Sequence, residues 1–153
     1  MPPVAVSRKL WVMSQPSLDE FKRLAERSFG TVINNRPDGE DADQPRSSAD
    51  ESAARAAGLS YVQIPVTSAG MTAEDARRFQ QAVDASPGPV VAHCRSGARS
   101  FALWLMTGDL QNKTDDEILA LTQELRLDLK AVAARLAARR KQAAGQQAAG
   151  ENA

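Results

Sequence analysis

The chain has 153 residues and a mass of 16.4 kDa, which is enough for one domain built around a single core. Hydrophobic residues make up 42% and charged residues 25%, a composition that argues against a collagen-like, wholly disordered or membrane-spanning chain. Nineteen Lys and Arg balance nineteen Asp and Glu, so we expect no broad surface for nucleic acid or anionic lipid. Any anion site must therefore be local.

The single cysteine, Cys94, excludes an internal disulfide and a multi-cysteine metal site. The first residues also lack the basic start, apolar run and small-residue cleavage site of a secretory signal. We therefore expect a cytoplasmic protein without a metal or a cofactor, and without a nucleic-acid or membrane partner.

Short apolar strands alternate with helices that begin on a Ser or Thr followed three residues later by an acid. The predicted strands are 31–35, 61–66 and 90–93, and residues 4–13 add one or two edge strands or a hairpin. The four predicted helix starts are Ser17 with Glu20, Ser48 with Glu51, Thr72 with Asp75, and Thr114 with Glu117. This alternation favours right-handed crossovers, so we predict an α/β fold with a central, mainly parallel sheet flanked by helices.

The last predicted helix covers residues 114–141. It carries an apolar stripe formed by Ile118, Leu125, Leu129, Val132 and Leu136. Such a stripe is typical of a helix that packs on its own sheet, and a homodimer through this C-terminal helix is the alternative. Residues 1–141 are predicted to form one domain, and the Ala-, Gln- and Gly-rich residues 142–153 a disordered tail.

Residues 89–106 join an apolar strand to an apolar helix through a polar loop that holds Cys94. Backbone N–H groups and the helix dipole converge at such a junction, which predicts an anion site. The same groups, together with Arg99, favour the thiolate form of the cysteine, and Gly97 allows a sharp turn. We predict that Cys94 is the nucleophile and that Arg99, whose planar donors match a tetrahedral oxyanion, binds the anion.

The remaining residues of this segment are assigned supporting roles. The residues expected to line the anion-binding loop are Arg95, Ser96, Gly97, Ala98 and Ser100. Ser100 either donates to the cysteine sulfur or caps the helix. His93, at the end of the strand, is expected to orient the loop, with a role as acid or base as the alternative.

The stretch from Ser14 to Met106 resembles the phosphatase-like domain of beta-lactamase hydrolase-like proteins, a bacterial branch of the cysteine-phosphatase fold. The similar segments are residues 14–17, 31–40, 44–45, 58–66 and 93–100. The resemblance implies a parallel sheet with the signature loop at its carboxyl edge. It also implies that Cys94 and Arg99 match the family's nucleophile and anion-binding arginine.

Two features distinguish this loop from that of cysteine phosphatases. Four residues separate Cys94 from Arg99, which resembles the rhodanese sulfurtransferases, whereas cysteine phosphatases have five. Residues 67–70 are Thr-Ser-Ala-Gly, where many phosphatases place the acid that protonates the leaving group. We therefore predict a sulfurtransferase that moves sulfur from thiosulfate or a persulfide through a Cys94 persulfide to a small thiol. A cysteine phosphatase acting through a phosphocysteine is the alternative, and a non-catalytic anion-binding module is a third class.

The loop 36–41 contains residues that could supply what the phosphatase alternative lacks. It follows the strand 31–35, and in a parallel sheet the end of that strand lies on the same rim as Cys94. Asp38 or Glu40 is a candidate for the missing acid, and Arg36 for a further anion contact, whereas a solvated Pro-Asp-Gly turn is the simpler interpretation. Either enzyme would act on a small anion, namely thiosulfate, a persulfide or a phosphoester.

Overall fold

The computed structural model describes residues 2–151, with side chains for residues 2–145. Within this part of the chain lie five strands, in order β1 (Val4–Ala5), β2 (Leu10–Met13), β3 (Thr31–Asn34), β4 (Ser60–Gln63) and β5 (Val90–His93). It also contains six helices, α1 (Glu20–Glu26), α2 (Ser47–Ala56), α3 (Ala73–Ala85), α4 (Ala98–Thr107), α5 (Asp115–Glu124) and α6 (Leu129–Glu151).

The strands form one sheet in the order β1-β2-β5-β3-β4. β1 and β2 form an antiparallel hairpin, and the other neighbouring strands are parallel. This confirms the predicted α/β fold with a mainly parallel sheet. The register places the last residues of the parallel strands side by side at the carboxyl edge, namely Met13, His93, Asn34 and Gln63.

Both faces of the central strands are covered, since every residue of β3 and β5 is buried. This pattern is typical of parallel sheets flanked by helices. Helices α1 and α2 cover one face, where Phe21 and Leu24 pack with Val32, Tyr61 and Val91. Helix α4 packs against β5 and against α3.

Two of the four predicted helix starts form complete capping boxes, those at Thr72 and Thr114. Helix α2 begins instead at Ser47, one residue before the predicted cap. The Asp38 carboxylate accepts from both the backbone N–H and the hydroxyl of Ser47, each at 2.7 Å. The cap of α2 therefore comes from the preceding loop, which short-range sequence spacing does not indicate.

The chain divides into two compact units, the first ending at Gln111 and the second beginning at Asn112, where the sequence analysis predicts one domain over 1–141. In the second unit α5 and α6 pack against each other. The predicted helix 114–141 is interrupted because Arg126 adopts a φ of 58° and Asp128 Oδ1 accepts from the N–H groups of Lys130 and Ala131, which starts α6.

Helix α6 continues past Lys141, where the sequence analysis ends it, to Glu151. The structure thus differs from the predicted tail over residues 142–151, because Ala and Gln are good helix formers. Residues 152 and 153 of that tail lie outside the described residues. A homodimer through this helix stays a prediction.

No helix in residues 2–151 has both the length and the apolar character required to cross a membrane.

Candidate active site

The cysteine loop connects β5 to α4 at the carboxyl edge of the sheet. Cys94 is fully buried, and the Gly97 N–H donates to its sulfur at 3.1 Å. Gly97 has a φ of 99°, and a Cβ there would lie 3.3 Å from Val12 Cγ1. Glycine is needed both for this conformation and for the close approach to β2. The structure thus brings a backbone amide to the sulfur.

His93 is fully buried beneath the loop. Its Nδ1 lies 3.4 Å from the carbonyl oxygen of Cys94, which is a long hydrogen-bonding distance. Burial lowers the pKa of His93 to about 4, and Nε2 has no hydrogen-bonding partner within residues 2–145. A buried, neutral imidazole in this position fits the predicted orienting role better than a role in proton transfer.

Ser100 is also fully buried, but it serves neither of the two roles predicted for it. Its Oγ donates to Asn35 Oδ1 at 2.8 Å. A hydroxyl has one proton, so a group that donates to Asn35 does not at the same time donate to Cys94. The side chain instead ties the start of α4 to the segment that follows β3.

Asn35 is a site residue that the sequence analysis missed. Its backbone N–H donates to the His93 carbonyl at 2.8 Å, and its Nδ2 donates to the Ile64 carbonyl at 3.0 Å. Together with the Ser100 contact, these bonds join the ends of β5 and β4 to α4. Two adjacent Asn residues at the end of an apolar strand were the available signal, because buried amides require partners.

Arg99 reaches across the carboxyl edge to Glu40. Its Nη1 and Nη2 donate to the two Glu40 oxygens at 2.7 and 2.9 Å, and Nη1 also donates to the Val66 carbonyl at 3.0 Å. These bonds use three of the five guanidinium N–H groups. The other two, on Nε and Nη2, form an edge that remains for a ligand. Glu40 is the main cause that raises the pKa of Arg99, and Cys94 contributes in the same direction.

Glu40 is an ionised carboxylate in this arrangement. Hydrogen bonds from Arg99 in the first place, and from Arg36 in the second, lower the pKa of Glu40 to about 2. Its carboxyl group is therefore ionised at neutral pH and has no proton to give. Asp38 is occupied as the cap of α2. The contacts of Asp38 and Glu40 therefore do not suit either residue to the role of substitute acid. Both side chains bind other parts of the protein, so the loop is also not the solvated turn that is the simpler interpretation of its sequence.

Arg36 is buried, with a side-chain exposure of 4%. Its guanidinium donates to Glu40 at 2.9 Å, to Asp41 at 2.6 Å and to Gln15 Oε1 at 3.2 Å. The further anion contact predicted for Arg36 is thus replaced by contacts within the protein. We call residues 36–41 the acidic loop, since two of its carboxylates bind Arg36.

The rest of the cysteine loop is more open. The Arg95 side chain is 68% exposed, and its Nε lies 3.3 Å from Asp41 Oδ2. Ser96 Oγ accepts from the Ala98 N–H at 3.3 Å. Arg95 is therefore in reach of solvent beside the cysteine, while Ala98 begins α4.

A mainly parallel sheet whose carboxyl edge carries a cysteine, a tight loop and an arginine at the start of a helix is the arrangement of the cysteine-phosphatase fold. The family model for the beta-lactamase hydrolase-like protein, phosphatase-like domain, matches residues 4–111. The chain belongs to this family, which confirms the resemblance found in the sequence.

A beta-lactamase hydrolase-like protein of Xylella fastidiosa strain Temecula1 is 37% identical over 127 residues, which cover 82% of this chain and 30% of the relative. The chain thus spans about a third of the length of such relatives. A crystal structure of a candidate phosphatase from Neisseria meningitidis has 27% identity and a TM-score of 0.77, covering 86% of this chain and 94% of that one.

The catalytic domain of the S. cerevisiae PP-IP phosphatase in complex with citrate shares the fold, with 17% identity and a TM-score of 0.64 over 80% of this chain and 74% of that one. The family match and the Neisseria structure support the phosphatase alternative, whereas the predicted sulfurtransferase finds no support in the comparisons. Four residues separate Cys94 from Arg99 in a chain of the phosphatase-like family, so this spacing does not by itself indicate sulfur transfer.

Proposed function

We propose that this protein is a cysteine-dependent phosphomonoester hydrolase with Cys94 as its nucleophile. The observation that carries the proposal is the fixed orientation of Arg99. Glu40 and Val66 hold one edge of its guanidinium, and the remaining edge, Nε with Nη2, suits two oxygens of a phosphoryl group. The membership in a phosphatase-like family supports the same chemistry.

The reaction consists of two displacements at phosphorus. In the first, the Cys94 thiolate forms a sulfur–phosphorus bond while the bond to the leaving oxygen breaks, and that oxygen keeps the electron pair. In the second, water attacks the phosphocysteine, which releases inorganic phosphate and restores the thiolate. The Gly97 N–H donates to the Cys94 sulfur and so favours negative charge on it, and Arg99 stabilises the phosphoryl oxygens in both steps.

The carboxylates of the acidic loop contribute positioning rather than protons. Glu40 and Asp41 accept from arginines and Asp38 caps α2, so the leaving oxygen departs as an anion or takes a proton from solvent. General acids contribute about 10²–10⁴-fold to such steps. We therefore expect the rate of phosphoenzyme formation to fall steeply across a series of aryl phosphates with increasingly basic phenols. A flat dependence would reveal a proton donor and contradict this part of the mechanism.

The test of the function is hydrolysis of an aryl phosphate by the full chain and by Cys94→Ser. We expect inorganic phosphate and phenol in equal amounts from the natural sequence and none from the variant, at an unchanged circular dichroism spectrum. Thiosulfate with cyanide as acceptor serves as the comparison assay. Thiocyanate formation without phosphate release would overturn the proposal in favour of sulfur transfer.

A further inference from the structure

A chain of hydrogen bonds leads from a buried carboxyl group in α2 to the guanidinium of Arg99. We call it the Gln15 network, and its members in order are Asp50, Gln15, Arg36, Glu40 and Arg99. The mechanism above uses only the last two members. The first two lie on segments that the mechanism does not involve, which raises the question of what they do.

Gln15 lies two residues after the end of β2 and connects Asp50 to Arg36 in this network. Its Oε1 accepts from Arg36 Nη1 at 3.2 Å, and its Nε2 faces Asp50 Oδ2 at 3.5 Å, the upper limit for a hydrogen bond. Nε2 also donates to the Pro16 carbonyl at 3.2 Å. The amide oxygen thus faces a cation, and the amide nitrogen faces a backbone carbonyl and an acid. In addition, the Gln15 backbone N–H donates to the Arg95 carbonyl at 3.1 Å, which ties the same residue to the cysteine loop.

Asp50 is an unusual neighbour for Gln15, because it is only 1% exposed. Its Oδ1 has no hydrogen-bonding partner within residues 2–145. Burial is the main reason why the pKa of Asp50 rises to about 6, with Asp38 adding to the rise and Gln15 and Arg36 opposing it. Buried carboxylates with incomplete hydrogen bonding are costly, so a role beyond packing is a reasonable expectation.

Arg36 transmits the position of Gln15 to the active site. One of its nitrogens contacts Gln15, while Nε holds the Glu40 oxygen Oε1 at 2.9 Å. The same Oε1 accepts from Arg99 Nη2, also at 2.9 Å. A shift of Arg36 would therefore move the carboxylate that determines which edge of Arg99 remains for a ligand.

We propose that Gln15 and Asp50 are positioning residues for Arg99. Their contacts hold Arg36, Arg36 holds Glu40, and Glu40 orients the guanidinium edge that binds the phosphoryl group of the substrate. This inference rests on the proposed function, because it assumes that Arg99 binds a phosphoryl group.

The experiment exchanges the acid and the amide between the two positions. Gln15→Glu alone places two carboxylates against each other, so we expect phosphate binding to weaken about tenfold or more. Asp50→Asn alone removes the charge but keeps an acceptor toward Gln15, so we expect a smaller loss of phosphate binding than with Gln15→Glu, about threefold. In the double variant the introduced Asn amide can donate to the introduced Glu carboxylate, so we expect binding to return to within about threefold of the parent.

Binding of inorganic phosphate is measured by calorimetry on the full chain carrying Cys94→Ser, which removes turnover from the readout, and thermal unfolding is followed in parallel. A merely structural pair would show its coupling in the unfolding temperature and leave the phosphate affinity of the folded protein unchanged, which would overturn the inference. If Gln15→Glu does not fold, Gln15→Met removes the side-chain polar contacts with Arg36, Asp50 and the Pro16 carbonyl without adding a charge. A folded Gln15→Met protein with parental phosphate affinity would equally overturn the inference.

Gln80 and Asp84 of α3 provide a matched control, since Gln80 Nε2 donates to Asp84 Oδ1 at 2.8 Å. The same exchange at these two positions should leave phosphate binding unchanged. If the full chain that carries only Cys94→Ser does not bind phosphate, the proposed function and this inference are both overturned. Phosphate binding that is insensitive to the Gln15 and Asp50 variants would overturn the inference alone.

Discussion

The two edges of the sheet bury polar groups in different ways. At the amino edge, the Thr31 and Ser86 hydroxyls lie 2.7 Å apart, and Ser86 Oγ also lies 2.7 Å from the Gly88 carbonyl. At the carboxyl edge, the buried polar groups include the Arg36 guanidinium and the Asp50 carboxyl group, which has one oxygen without a partner in residues 2–145. The buried hydroxyls at the amino edge are neutral and satisfied by nearby groups, whereas the buried groups at the carboxyl edge are charged and incompletely satisfied.

This difference distinguishes buried polar groups that stabilise the fold from buried polar groups that serve the active site. Neutral hydroxyls that satisfy each other close a turn at little cost in free energy. Buried charges are expensive even when they are paired, so a fold that needed only stability would not retain several of them at one edge. The carboxyl edge instead keeps fixed charges beside Cys94, where they orient a guanidinium for an anion.

The largest effect should come from Arg99→Lys. An ammonium group cannot both form the two-pronged pair with Glu40 and offer a second edge to a phosphoryl group. We expect kcat/KM for an aryl phosphate to fall by about 10²-fold or more. Arg55→Lys is the matched control, because Arg55 donates two bonds to Glu51 on the exposed face of α2. Equal activity of Arg99→Lys and the parent would contradict the claim that the charges at the carboxyl edge orient Arg99 for an anion.

Two glycine substitutions compare the edges directly. Gly97→Ala forces a φ of 99° on alanine, and Gly30→Ala places a Cβ 3.0 Å from the Gly88 nitrogen. We expect each to lower the free energy of unfolding by about 1–3 kcal/mol. Only Gly97→Ala should also lower kcat per folded molecule. The kcat of each variant is measured after the concentration of active sites has been determined by titration. A similar loss of kcat in Gly30→Ala would argue against a purely structural role for the amino edge.

Asp50→Asn should stabilise the protein at alkaline pH. The pKa of Asp50 is about 6 in the folded state, above its ordinary value of 3.8, so its contribution to stability is present below about pH 4 and is lost as the pH rises through 6. Denaturant unfolding at pH 8 should show a gain of about 1–2 kcal/mol for the variant, with little change at pH 4. If the stability difference between the variant and the parent were the same at pH 4 and pH 8, the pKa of Asp50 would not be raised in the folded state, which would contradict this prediction.

The smallest effect concerns Glu40 in acid. Its pKa is about 2 in the folded protein and 4.5 ordinarily, so the stabilisation is present above about pH 4.5 and disappears as the pH falls toward 2. Because Glu40 is partly exposed, we expect about 1 kcal/mol or less. Unfolding of Glu40→Gln should lack this part of the pH dependence. Thr31→Val, at the neutral edge, should instead lower stability equally at every pH.

The sequence predicted the parts of the structure that depend on short spacings. The apolar strands β3 and β5, the capping boxes at Thr72 and Thr114, and the polar loop between β5 and α4 all follow from local patterns. The sequence also predicted that the acidic loop shares a rim with Cys94. These features require only periodicity, cap residues and the rule that parallel strands end on one side.

The contacts that define the site depend on longer separations. Glu40 and Arg99 are 59 residues apart, and their pairing follows from the adjacency of β3 and β5, which spacing does not reveal. Asp50 lies in an Ala-rich helix, and its burial was not predicted from the local pattern. The break between α5 and α6 was missed because Leu125 remains on the apolar stripe, although Asp128 is a recognisable helix cap.

The most direct test of the central claim is the intact mass of the protein, quenched during turnover of an aryl phosphate. The account predicts a fraction of the chain that is heavier by one phosphoryl group, located on Cys94 by peptide mapping and absent from Cys94→Ser. A gain of one sulfur atom after thiosulfate, with no phosphoryl adduct from any aryl phosphate that is turned over, would contradict it.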